Sequence, residues 1–189
     1  MLGFVASFFL ILLAEIGDKT QLVALSFATK IKPLKVVAGV FIGTLLSHLM
    51  AVLVGQNLSL LIPLNYLKIL VGLSFIGFGI WTFKGDTYDE KLGKKNAKFP
   101  PIITVAIAFF IAELGDKTQL ATISLAAEYR SFFGVWAGST LGMVCADGLA
   151  IILGVIAGKK LPEKVIKYVS AAIFIIFGLS IFIEAIKSN

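Results

Sequence analysis

The sequence predicts an all-α polytopic membrane protein, with six transmembrane helices arranged as two inverted-topology repeats of three. Three observations carry this reading. Of 189 residues 58% are hydrophobic and 15% charged, with a mean hydropathy of +0.97, against about 45–50% and about 25% in soluble domains. Apolar runs near the roughly 20 residues that a spanning helix needs occupy most of the chain. A short stretch, "EIGDKTQL" at 15–22, returns as "ELGDKTQL" at 113–120.

The spans fall at about 3–27, 36–54, 64–83, 102–126, 133–157 and 165–186. They are too long and continuous for barrel strands, which alternate lipid-facing and lumen-facing residues over about 10 positions. The first follows no positively charged region, and no small-residue cleavage site separates it from its acidic stretch, so it reads as a retained helix rather than a removable signal. The second carries Gly39, Gly43 and His48, the fifth Gly138, Gly142 and Asp147. Glycines four apart let helix backbones approach closely. Between the third and fourth spans lies the charged linker "KGDTYDEKLGKKNAKFP", residues 84–100.

The net charge of +6 does not indicate nucleic acid, because the lysines sit in the links between spans. They set orientation instead. Lys30, Lys32, Lys35, Lys84, Lys91, Lys94, Lys95, Lys98, Lys159, Lys160, Lys164 and Lys167 fall on one side; only Lys68, Arg130 and Lys187 fall on the other. The positive-inside rule makes the lysine-rich side cytoplasmic, with the 84–100 loop inside and both termini outside. The expected location is the plasma (inner) membrane. The single cysteine, Cys145, has no partner for a disulfide or a thiolate metal site.

The duplication extends beyond the acidic stretch. Ser26 recurs as Ser124 at the motif's offset of 98; Gly39, Gly43 and Gly55 recur as Gly138, Gly142 and Gly154 at 99, and Pro63, Lys68, Phe78 and Gly79 as Pro162, Lys167, Phe177 and Gly178. The repeats are therefore 1–83 and 101–189. Three spans is an odd number, so the second copy enters the membrane from the opposite side, a pattern typical of transporters with midplane sites.

An ionisable residue at the centre of a spanning helix costs about 2.5–3.5 kcal/mol on insertion scales and marks an ion path more often than a structural feature. On a continuous helix Glu15 and Asp18 share a face with Lys19 and Ser26 nearby, while Thr20 and Gln21 point elsewhere. Loosening at Gly17 would instead bring Thr20 and Gln21 to the same place. The bland alternative is a network in which Glu15 neutralises Lys19 and Glu113 neutralises Lys117 at i,i+4 spacing. Asp18 and Asp116 are then left over, and a divalent cation would cancel their charge. Carboxylates, the hydroxyls of Thr20, Thr118, Ser26 and Ser124, and the amide oxygens of Gln21 and Gln119 are hard donors that suit Mg²⁺, Ca²⁺ or Mn²⁺. His48 and Asp147, equivalent at offset 99, are candidates for a proton relay, with ordinary hydrogen-bonded burial as the alternative for the histidine.

Two copies of Glu-x-Gly-Asp-Lys-Thr, "EIGDKT" at 15–20 and "ELGDKT" at 113–118, resemble the GDT family of cation transporters over essentially the whole chain, as a compact prokaryotic-type member. The resemblance implies Ca²⁺/Mn²⁺ transport coupled to counter-movement of protons. It places the cation on Glu15, Asp18, Glu113 and Asp116; Lys19 and Lys117 also match the pattern, and charge balance makes them the expected counterions. The expected partners are metal ion, protons and lipid bilayer, with no tightly bound cofactor and no enzymatic activity; homodimer formation is left open. Two rival readings are a small-metabolite exporter using the acids for proton coupling, and an intramembrane aspartyl protease. The protease would need neither the two glutamates nor the two lysines.

Overall fold

The computed structural model describes residues 1–84, 99–153 and 163–187. Where no Gly-Asp pair interrupts the apolar sequence, the described spans form uninterrupted helices: α3 Pro33–Leu61, α4 Leu64–Lys84, α7 Phe132–Ile151 and α8 Glu163–Lys187. The first and fourth predicted spans are each divided in two. α1 Leu2–Glu15 gives way to α2 Lys19–Ala28, and α5 Pro101–Glu113 to α6 Lys117–Tyr129. Among the described residues α3, most of α4 and α7 are long and apolar enough to cross a membrane, and α1 and α5 are shorter apolar helices. The protein is a helical membrane protein with two broken helices in place of the continuous 3–27 and 102–126 spans.

The break has a local cause. Ile16 has φ −61° and ψ 122°, Gly17 has φ 82°, and the Asp18 N–H donates to the Glu15 carbonyl at 3.0 Å. That is a type II β-turn, which requires φ > 0 at its third residue and therefore favours glycine there. The second copy repeats it, with Leu114 at φ −63° and ψ 113°, Gly115 at φ 77°, and Asp116 N–H to Glu113 carbonyl at 3.1 Å. Glu-x-Gly-Asp thus spells a turn with a carboxylate at each end.

The two sequence halves pack by exchange. α1 lies along α7, α5 along α3, and α4 against α8. The repeated glycines make this close: a side chain at Gly43 would strike the Ala106 carbonyl, and one at Gly142 the Phe8 carbonyl. Equivalent residues also meet each other. Thr44 touches the Met143 sulfur at 3.4 Å, and the Phe75 and Phe174 rings lie 5.7 Å apart.

Helix ends gather as well. Gly3 sits beside Tyr129 and Ser131, Arg130 donates to the Ser59 carbonyl, and Lys68 pairs with Glu184. Buried apolar residues form two clusters. One joins α1, α4, α6 and α8 around Ile11, Phe75, Leu125 and Phe174; the other joins α2, the start of α3 and α5 around Val23, Val36 and Phe109. Leu46, Leu53, Leu60, Ile80 and Ile176 are exposed on the outside, as lipid contact demands.

Candidate cation site

Along each broken span the acidic turn falls where the chain passes from one apolar cluster to the other, between Ala14 and Val23 and between Phe109 and Ala121. Non-helical backbone at this depth is tolerated where it is enclosed by protein or lines a polar cavity, and broken helices of this kind build transporter sites. Glu15, Asp18, Thr20 and Gln21 are all buried, as are Glu113, Asp116, Lys117, Thr118 and Gln119. The helix is broken at Gly17, and the turn brings Gln21 onto the Gly17 N–H.

The motif acids of the two halves influence one another electrostatically. Glu15 lies within electrostatic reach of Asp18, Glu113, Asp116 and Asp147, and Glu113 within reach of Asp116, Asp18 and Asp147. Among the described residues no three His, Cys, Asp or Glu side chains converge tightly enough to hold a metal directly. A base stands among them: Lys117 Nζ donates to Asp18 Oδ1 at 2.8 Å, with both side chains buried. This corrects the i,i+4 pairing of Lys117 with Glu113. The turn takes Glu113 out of helical register with Lys117, and the cation reaches the aspartate of the other repeat. The side chain of Lys19 lies outside the described residues.

The two turns are not in identical states. The Thr118 hydroxyl donates to Glu113 Oε2 at 2.6 Å, whereas neither oxygen of Glu15 and not the Thr20 hydroxyl has a hydrogen-bond partner among the described residues. Asp18 and Asp116 occupy the N-cap positions of α2 and α6, yet neither carboxylate caps its helix; both are left to other partners. The glutamine oxygens accept from glycine N–H groups, Gln21 from Gly17 and Gln119 from Gly115, each at 2.8 Å.

Of the remaining candidates, Asp147 is fully buried without a hydrogen-bond partner among the described residues and lies within reach of Asp18. It belongs to the acidic layer. His48 is equally buried, with both ring nitrogens unpartnered among the described residues. Ser124 donates to the Leu120 carbonyl of its own helix, and the Ser26 carbonyl accepts from Thr29. Both serines sit two turns along α2 and α6 from the aspartates. Trp136, whose place near a span end suggests interfacial anchoring, donates its indole N–H to the Leu45 carbonyl at 2.9 Å.

The family model described as divalent cation/proton antiporter GDT1 matches residues 3–90 and again 101–189. The chain is 36% identical over 172 residues to a Vibrio cholerae protein named "Putative manganese exporter", covering 89% of this chain and 84% of that one. It is 30% identical over 197 residues to a GDT1-like protein of Synechocystis, covering 94% and 95%, and 28% identical over 229 residues to GDT1-like protein 4 of Arabidopsis thaliana, covering 98% and 97%. No solved structure matches. A buried acidic layer on two broken helices, met by a family model over both halves, makes this chain a divalent cation transporter rather than an enzyme, and a member of the GDT1 family.

Proposed function

We propose that the protein exports Mn²⁺ across the plasma membrane in exchange for protons, by alternating access between two inverted three-helix halves, 1–83 and 101–189, joined by a cytoplasmic linker at 84–100. The observation that carries the reading is the Lys117–Asp18 pair, which joins the two acidic turns within a layer bounded by the two apolar clusters. Such a layer, closed on either side in turn, is what a midplane site needs. The double match of the family model and the name of the Vibrio cholerae relative support both the duplication and the choice of metal.

In this scheme Glu15, Asp18, Glu113 and Asp116 hold the cation in the cytoplasm-facing state, with Thr20 and Thr118 as further oxygen donors. Lys117 and Lys19 take up the aspartates once the cation has gone, and two incoming protons neutralise Glu15 and Glu113, so the four acids are not left with unbalanced charge. Asp147, inside the acidic layer, and His48, at the equivalent place in the other half, pass protons. Oxygen ligands accept Ca²⁺ as well as Mn²⁺, so Ca²⁺ competes for the same site.

Moving two charges outward against about 100 mV, negative inside, costs about 4.6 kcal/mol at 2.3 per charge. Two returning protons cancel that cost, and a third lets the potential drive export. The test is flux in proteoliposomes with the voltage clamped by valinomycin and K⁺. A Mn²⁺ gradient should drive protons the opposite way with no initial pH difference, because metal and protons compete for the carboxylates. Mn²⁺ movement that leaves internal pH unchanged would make the protein a uniporter.

A further inference from the structure

Gln21 and Gln119 make the same pair of hydrogen bonds in the two halves. Gln21 accepts the Gly17 N–H through Oε1 at 2.8 Å and donates through Nε2 to the Ala146 carbonyl on α7 at 2.9 Å. Gln119 accepts the Gly115 N–H at 2.8 Å and donates to the Ser47 hydroxyl on α3 at 3.1 Å. The amide orientation of Gln21 is fixed by chemistry: a backbone N–H can only donate and a carbonyl can only accept, so a flipped amide would oppose like groups at both ends. Both side chains are buried.

The geometry has a purpose at each end. At one end the glutamine accepts the N–H of the positive-φ glycine, which has left the helical ladder and so has lost its i−4 carbonyl partner. At the other it reaches the second helix of the opposite repeat, at residue 146 or its equivalent 47, immediately before Asp147 or His48. Each glutamine therefore ties an acidic turn to the helix that faces it.

We propose that Gln21 and Gln119 are positioning residues, struts that set the turn and link it to the opposing repeat, and that they are not cation ligands. The oxygen that would bind a metal is directed at the glycine N–H instead. Any motion of a turn against the opposite half must carry or break its strut, so the strut governs how fast the states interchange rather than how tightly the ion binds. The flux readout below rests on the transport reading; the exchange readout does not.

The two struts differ in one atom that makes the idea testable. Gln119 donates to a hydroxyl, which can rotate and become a donor; Gln21 donates to a carbonyl, which cannot. A carboxylate in place of either amide still accepts the glycine N–H and adds the same charge. Gln119→Glu should therefore keep its link, with Ser47 now donating, while Gln21→Glu loses its link to Ala146. In the full-length chain in proteoliposomes, Gln21→Glu should lower maximal Mn²⁺ flux about tenfold with little change in KM, as expected for one lost buried hydrogen bond that acts on rate. Gln119→Glu adds the same charge and is the reference: its maximal flux should exceed that of Gln21→Glu about tenfold. Adding Ala146→Ser to Gln21→Glu supplies a hydroxyl donor and should restore flux.

Amide hydrogen exchange provides the second arm. Gln21→Met removes the acceptor and should speed exchange at Gly17 about tenfold or more, whereas Gln21→Glu should leave it protected. Equal effects of the two Glu substitutions, or failure of Ala146→Ser to rescue, would overturn the strut, as would Gly17 exchange that Gln21→Met leaves unchanged. A rise in KM with maximal flux intact would make the glutamines ligands. If the unmodified protein moves no Mn²⁺, the transport reading fails and the exchange arm still judges the strut.

Discussion

Lys117 and Asp18 form a buried ion pair, Nζ to Oδ1 at 2.8 Å, between the acidic turns of the two halves. The pair gives each turn a charge supplied by the other. Removing one partner of a buried pair leaves an uncompensated charge and costs about 3–5 kcal/mol, while removing both is far milder. Lys117→Met should therefore lower the unfolding temperature of the detergent-solubilised protein, and Asp18→Asn in the same chain should recover most of the loss. A double variant as unstable as Lys117→Met alone would show that the pair does not support the fold.

Asp18→Asn and Asp116→Asn keep the shape of the turn but remove charge needed to balance a divalent ion. Each should abolish Mn²⁺ uptake into proteoliposomes while the protein still inserts and purifies. Near-normal flux in either would end the four-acid model.

Gly115 separates backbone from packing, because a Cβ there meets nothing within 4 Å while its φ is +77°. Gly115→Ala should cost about 1–2 kcal/mol through the left-handed backbone alone. Gly43→Leu is the opposite case, a side chain driven into the Ala106 backbone. We expect the first to yield a less stable, folded protein and the second to prevent assembly, read by size-exclusion profile after solubilisation.

Orientation can be read by labelling in a Cys145→Ser background. Leu61→Cys, on the exposed last residue of α3, should react with an impermeant thiol reagent in intact cells, and Lys32→Cys should not. The reverse pattern would invert the topology and with it the direction of transport.

The sequence made the membrane class, the duplication and the acidic residues readable, because hydropathy and exact repetition survive without coordinates. The turn at Gly17 was also encoded: glycine third in Glu-x-Gly-Asp is what a type II turn requires, but a long apolar run reads as one helix unless that signal is given weight. The partner of Lys117 was not readable. An i,i+4 rule assumes unbroken helix, and the break sends the lysine to an aspartate 99 positions away. The glutamine bonds were hidden for the same reason, since their acceptors lie on helices of the other half.

The exchange of neighbours, α1 against α7 and α5 against α3, has a bearing on biosynthesis. When the first 84 residues have been made, Glu15 and Asp18 are already present, but the lysine that answers Asp18 and the helix that covers α1 are still untranslated. The nascent half must wait with its polar turn shielded by water, by the insertion machinery or by a chaperone, and it closes only through contacts of long sequence separation, which form late. Two fragments divided within 84–100 and made together should assemble into a working transporter, whereas either fragment made alone should be degraded.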